Sequence, residues 1–359
     1  LASDMLLRGA GPYSHAELSL RLEQLNTSLS VSADGAQVGL QFVTRRKNLA
    51  QVLDLLAIVL RQPRFAPDEF ALVVRESAAA LEAGRKDPGT MAEAALARAL
   101  NAYEPGDVRA AMTTDEALSA LQAATRDQWG QFHARFYGTD HAQFAIVGDF
   151  DPQAVQTQIE AVLDGWTSPA PYARMVEPTQ APRPGHTLLQ APDKANALYR
   201  AGLPVALRDD APDLLPLVLA NEVLGGGSKS RLNERLRQQD GISYGVGSSL
   251  WGGTYEPVGM WRLYAQYPPD KLAQLRSAVQ EVLAQLVEQG ITAQELADAK
   301  KSLLEQRQLS RAQDATLASV LTQQLARGRT MDFSAGVDAA IAAASLEEVN
   351  AALRRAVSS

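Results

Sequence analysis

Two stretches of this chain, about 220 residues apart, carry the same pattern, and any fold must accommodate both copies. RKNLAQVLDLLAIVLRQPRFAPDEF, from Arg46, lies over PDKLAQLRSAVQEVLAQLVEQGITAQEL, from Pro269, at an offset of 223 to 226 residues. AATRDQWGQFHARF, from Ala123, lies over AASLEEVNAALRRA, from Ala343, at an offset of 220. Solenoid repeats recur every ~20–50 residues, so a period this long means a duplicated domain. A chain of 359 residues has room for two such copies.

Within each copy, alternating strands precede long amphipathic helices. Leu29, Val31 and Ala33 alternate with Ser30, Ser32 and Asp34, as in a half-exposed strand, and Gly35 turns the chain into a second strand, Val38–Thr44. Ser14 caps a helix over Ala16–Leu25. Leu49–Arg61 reads as a helix stopped by Pro63, and Pro67 opens another that runs to about Ala83. Met91–Leu100, Thr114–Leu121, Arg126–Tyr137 and Gln153–Leu163 are further helices, with Gln143–Val147 as a closing strand. Prolines 169, 171, 178, 182 and 184 then make 166–185 an extended linker. Beyond it, Thr187–Gln190, Ala195–Gly202, Val246–Ser249 and Val258–Gln266 read as strands. Ala211–Leu224, Lys271–Gln289 and a segment opening at ITAQEL read as helices. Hairpins with long helices give an α+β class: two homologous domains, 1–165 and 186–359, each a mostly antiparallel sheet with helices packed on one face.

Composition excludes several functions. A net charge of −7 argues against nucleic-acid or anionic-membrane surfaces, and the basic run Arg45-Arg46-Lys47 reads as a solvated turn. No window reaches the ~18 apolar residues of a membrane span. With no cysteine there is neither a disulfide nor a thiolate metal site, and such a chain suits an oxidising compartment such as the bacterial periplasm. The chain opens on Leu1 without a signal-peptide pattern and reads as part of something longer.

The most specific local pattern is Leu224–Gly245, LGGGSKSRLNERLRQQDGISYG. Three glycines follow the apolar run Leu214–Leu224, and Ser228 or Ser230 is placed to cap a short helix, Arg231–Gln239, with Leu232 and Leu236 on one face. GGGSKS is not a phosphate loop, because Ser228 stands where that loop needs glycine before its lysine. GISYG matches a nucleophile elbow as a string, but it follows charged RLRQQD, and no histidine lies beyond His186.

The LGGG-x-x-SRL-x5-R-x3-G-x2-Y pattern resembles the second domain of pitrilysin/insulinase-type zinc metallopeptidases, the inverzincins, and the resemblance spans essentially the whole chain. It implies the processing-peptidase-like fold. It also implies that Arg237 and Tyr244 hold the substrate backbone against a zinc site elsewhere.

In active members of that family, H-x-x-E-H on a helix leading into M-L-F-[KR]-G-T binds zinc, and a glutamate ~75 residues on completes the site. The matching segment here is S-D-M-L-L-R-G-A. Ser3 stands where the base glutamate would be and Asp4 where the second histidine would be. Counting on from Asp4 lands on Ala79, Ala80 and Leu81, with Glu76 and Glu82 flanking at an unsuitable helical phase. His15, His133, His141 and His186 are not paired at ligand spacing and read as surface or cap residues. The expectation is a pseudoenzyme with no metal on this chain. It would be the non-catalytic half of a zinc metallopeptidase, with a zinc-bearing half or subunit as partner and a peptide or protein as substrate. The competing reading is a structural scaffold or assembly subunit of the same fold, and the intact Arg237–Tyr244 pair favours the peptidase half.

Overall fold

The computed structural model describes residues 2–33, 37–104, 106–179 and 184–358. The turn expected at Gly35 and Pro182 of the linker lie outside them. The chain divides into two compact units: Leu1–Glu82 with Thr114–Met175 and Asp314–Arg327, and Ala83–Thr113 with Val176–Gln313 and Gly328–Ser359. The units therefore do not follow the expected division at 166–185. Each takes one segment from the other half of the chain.

In the first unit Ser28–Ala33 and Val38–Val43 form an antiparallel hairpin with Leu29 opposite Phe42 and Val31 opposite Leu40. That face packs on a core of Leu6, Leu18, Leu53, Val59 and their neighbours. Helix Leu49–Arg61 supplies most of this core, since Val52, Leu53, Leu56 and Val59 share one apolar stripe. Helix His15–Gln24 opens on a capping box in which Ser14 accepts from the Glu17 amide and Glu17 accepts from the Ser14 amide. Gln143–Val147 forms no strand: Ile146 packs against the core, but no described neighbour pairs with its backbone. Alternation needs a ladder partner to become a strand.

In the second unit a three-stranded antiparallel sheet runs in the order Ala197–Val205, Gly259–Tyr267, Gly245–Trp251. Trp261, Leu263, Ala265 and Tyr267 point to one face, against a core shared with helices Leu214–Asn221 and Leu272–Gln289 and with Val349, Ala352 and Leu353. The opposite face is not wholly bare. A Cβ at Gly202 would lie 2.8 Å from Leu100, which shows how closely the segment around helix Pro88–Ala99 packs there. Glu93 of that helix accepts from Arg262 at 2.6 Å and faces Arg200 at 3.6 Å. Thr187–Gln190 is exposed and forms no strand, and the following strand begins at Ala197.

The repeat is visible element by element. Three-residue 3-10 turns at Arg46–Asn48 and Pro269–Lys271 lead into helices at Leu49 and Leu272, an offset of 223. The second helices begin at Pro67 and Ala293, an offset of 226. Helices Arg126–Phe136 and Leu346–Ser358 both open on capping boxes, Thr125 with Gln128 and Ser345 with Glu348. Each copy is thus a hairpin, then a pair of helices, then a capped helix.

Candidate functional site

The glycine stretch is built as two wide turns. Helix Leu214–Asn221 continues as a π-turn, Glu222–Gly226, and Arg231–Asn233 continues as a second, Glu234–Gln239, so the single helix expected over Arg231–Gln239 changes register. The reason for the first turn is a close approach. A Cβ on Gly225 would sit 2.6 Å from Ser248 Oγ and 2.7 Å from Ser248 N, so only glycine lets this turn lie on the strand. Beneath it, buried Asn221 accepts from Ser248 Oγ at 2.7 Å and from Trp261 Nε1 at 2.8 Å, tying turn to sheet. Ser230 holds the N-cap position but makes no side-chain cap; it is turned inward and buried, with its hydroxyl unpartnered among the described residues. Arg231 instead anchors the segment, bonding both carboxylate oxygens of Glu295 at 2.7 and 2.8 Å and the Gly290 carbonyl at 2.9 Å. Burial would raise the Glu295 carboxyl, but Arg231 and the Thr292 amide overcome it and hold it below its ordinary value.

Arg237 and Tyr244 hang from this frame. Leu236 and Ile242, next to each in sequence or nearly so, are buried, and the Leu236 carbonyl accepts from both Ile242 N at 3.0 Å and Ser243 N at 3.1 Å. Gly241 supplies the left-handed turn between them at φ 64°. Arg235, not Arg237, takes the nearby acids, pairing with Asp240 and with Glu281 at 3.0 Å. Arg237 is left exposed, with no hydrogen-bond or ion-pair partner among the described residues. Tyr244 is 78% exposed. Ser243, the would-be nucleophile of GISYG, is buried and donates its hydroxyl to the backbone carbonyls of Gln266 and Gly245. That geometry has no use for a base.

The degenerate metal position is a cleft of ≈ 320 Å³ lined by Ser3, Asp4, Leu7, Arg8, Val31, Val73, Glu76 and Ser77. Ala79 and Ala80 are exposed on the same helix and do not line it. Glu76, set aside on helical phase, is the acid that faces Ser3 and Asp4, because Val73, Glu76 and Ser77 share the i, i+3, i+4 face turned to the cleft. Its spacing from Glu69, seven residues back on one helix face, was the signal for it. Arg8 already holds both acids, donating to Glu76 at 2.6 Å and to Glu69 at 3.5 Å. The residues present do not fit a zinc ion: a hydroxyl and an aspartate stand at the motif, and a guanidinium occupies the glutamate. Among the described residues no three His, Asp or Glu side chains are grouped to hold a metal.

The histidines lie elsewhere. His15 Nδ1 is 3.3 Å from Glu69, His141 packs on the Tyr172 ring, and His186 is exposed. His133 is buried rather than on the surface. Its Nε2 lies 2.7 Å from the Leu60 carbonyl, and it sits among Phe65, Tyr137 and Trp166.

Repeated α+β elements, a glycine-framed Arg–Tyr pair and a cleft with Ser3, Asp4 and Arg8-bound Glu76 are the features of this architecture. Residues 1–105 match the family model described as insulinase (peptidase family M16), and residues 123–303 match the model described as the peptidase M16 inactive domain. This chain belongs to the peptidase M16 family. It is 25% identical over 332 residues to a "non-peptidase homolog YmxG" of Helicobacter pylori, covering 92% of this chain and 74% of that protein. An "uncharacterized zinc protease YmxG" of Bacillus subtilis is 38% identical over 87 residues, 24% of this chain and 21% of that one. A peptidase M16 inactive domain from Pseudomonas fluorescens shares the fold with a TM-score of 0.85 at 22% identity, over 99% of this chain and 84% of that one. The periplasmic protease PqqL of Escherichia coli shares it at 0.77 and 15% identity, but this chain spans only 39% of PqqL.

Proposed function

We propose that this chain is the inactive half of an M16 peptidase and supplies Arg237 and Tyr244 as substrate contacts to a zinc-bearing half or subunit. The observation that carries the reading is the state of the pair. Both side chains are held by buried neighbours, both face solvent, and the acids that would have neutralised Arg237 are taken by Arg235. A guanidinium and a phenolic O–H can both donate, so together they bind a peptide carbonyl, or the oxyanion formed from it, and with neither a metal-bound water nor a carboxylate base they do not hydrolyse it. Zinc chemistry, water activation included, belongs in this proposal to the partner half. Matches to M16 models along both halves of the chain and the inactive-domain description support the assignment. A periplasmic location fits the absence of cysteine and the periplasmic relative PqqL.

The test is substitution in the complete two-half enzyme. Arg237→Ala and Tyr244→Phe should each lower peptide turnover by roughly 10²-fold, the cost of one transition-state donor, while zinc content and thermal stability stay near wild type. Unchanged turnover in both variants would make the pair structural and leave this chain a scaffold.

A further inference from the structure

The face of the second unit's sheet that turns away from the core carries more positive charge than its neighbours neutralise. Strands Ala197–Val205, Gly245–Trp251 and Gly259–Tyr267 contain no acidic residue, and their charges are Arg200 and Arg262. The register sets Arg200 opposite Tyr264, and Arg262 opposite Gly202 and Ser249, so both guanidiniums share that face. One carboxylate, Glu93 of helix Pro88–Ala99, serves the two. It accepts from Arg262 at 2.6 Å and stands 3.6 Å from Arg200, beyond hydrogen-bond reach. A guanidinium is a fork of N–H donors. Among the described residues Arg262 uses one of them, its Nε being buried without a partner, and Arg200 uses none. Aromatic rings steady both: Trp251 lies 5.4 Å from the Arg262 guanidinium and Tyr264 5.4 Å from that of Arg200. The helix itself has a second hold, since Leu96 and Leu100 close on Gly202 at 3.5 and 2.8 Å from where a Cβ would be.

We propose that Arg200 and Arg262 form a subsite for an acidic side chain of a bound peptide, with Trp251 and Tyr264 as its rim. The proposal rests on the reading of Arg237 and Tyr244 as substrate contacts and adds the charge of the substrate. Ser249, opposite Arg262, lies five residues and about 17 Å beyond Tyr244, so one extended peptide reaches both places. A carboxylate supplies the acceptors that the two guanidiniums lack, and their planar forks match its geometry. The exposed rings of Trp251 and Tyr264 cover the methylene stem that carries it. The whole chain has a net charge of −7 and repels an acidic peptide elsewhere, so two cations with a single counter-charge select one here. Glu93 is then an internal competitor for the incoming acid.

The probes are two fluorescein-labelled peptides of one sequence rich in Phe, Val and Thr, one with glutamate at every third position and its twin with glutamine there. Their anisotropy is followed with the whole 359-residue chain. The glutamate peptide should bind about tenfold more tightly than its twin at low salt, and the ratio should shrink as salt is added. Arg200→Gln and Arg262→Gln should each pull the ratio toward one, while Arg262→Lys, which keeps the charge, should retain most of it. Glu93→Gln should raise the ratio several-fold, because it releases both guanidiniums, and circular dichroism melts check that each variant is folded. Arginines that only anchor the helix would leave the ratio unchanged in all of these variants, which overturns the proposal. Equal binding of the twins by the wild-type chain, or no binding of either, overturns it as well. So does displacement of the glutamate peptide by inorganic phosphate at equal concentration, which would make the pair a general anion site. Self-association that the glutamate peptide reverses would give the face to a second copy of the chain. Arg237→Ala and Tyr244→Phe separate this subsite from the motif. A ratio that persists while neither variant weakens either twin keeps the subsite and removes the motif's role. Weakening of both twins by those variants, without any preference for glutamate, keeps the motif and removes the subsite.

Discussion

At the residue scale, the informative side chains are those whose partners are missing or unexpected. Among the described residues Arg237 has no acid partner while Arg235 holds Asp240 and Glu281, a distinction between two arginines that sequence spacing did not draw. His133 is the opposite case, a titratable ring sealed in an aromatic cluster. Burial pushes its imidazolium down from the ordinary value, against the favourable Leu60 carbonyl. The folded chain therefore holds it neutral where the unfolded chain, titrating at about 6.5, takes a proton. Its contribution is intact above about pH 6.5 and is lost as pH falls from there toward the lower folded value. His133→Gln keeps a donor for Leu60 but does not titrate. Its melting temperature should fall less than that of wild type between about pH 7.5 and about pH 5.5, as differential scanning fluorimetry would record. Parallel decline of the two proteins would show that His133 does not carry the acid sensitivity.

At the element scale, the glycines have separate duties. Gly225 is required by contact, since a methyl there meets both the backbone and the hydroxyl of Ser248. Gly225→Ala should destabilise the chain by about 1–3 kcal/mol in urea unfolding, the cost of overpacking a closed site. Gly336, inside helix Met331–Ala343 with open space around its Cβ position, is the control. Gly336→Ala should stabilise by about 0.5–1 kcal/mol through helix propensity alone. If both changes moved stability in the same direction, the close approach of turn and strand would not be what selects glycine. The helices were largely legible from apolar period and caps: Leu49–Arg61 has the bounds that its stripe and Pro63 dictate. The π-turns were not, because a shift from i−4 to i−5 bonding changes no residue type. The sheet packing that imposes it lies far away in sequence.

At the scale of the whole molecule, the repeat is real but its copies are not self-contained. Residues 83–113 belong with the second unit, where Glu93 meets Arg262, and residues 314–327 belong with the first. Separately expressed fragments 1–175 and 176–359 would each lack a segment of their own unit. Each should give broad, weakly cooperative thermal unfolding by circular dichroism, and co-expression should restore a sharp transition. Two fragments that each melted sharply would mean that the exchanged segments are peripheral to stability.

The sequence by itself determined the duplication, most of the helices, the hairpins, and the membership that the LGGG frame signals, because period, capping and turn chemistry act over a few residues. It also placed Ser3 and Asp4 where the family's zinc motif carries glutamate and histidine. Only the tertiary structure decided that Glu76 rather than Ala79 or Ala80 faces that position. Among the described residues, it alone left Gln143–Val147 and Thr187–Gln190 without a strand partner and Arg237 without an acid partner, and laid the turn Glu222–Gly226 on strand Gly245–Trp251. Each of these depends on which distant backbone lies alongside, and alternation or helical phase within a segment carries no record of that neighbour.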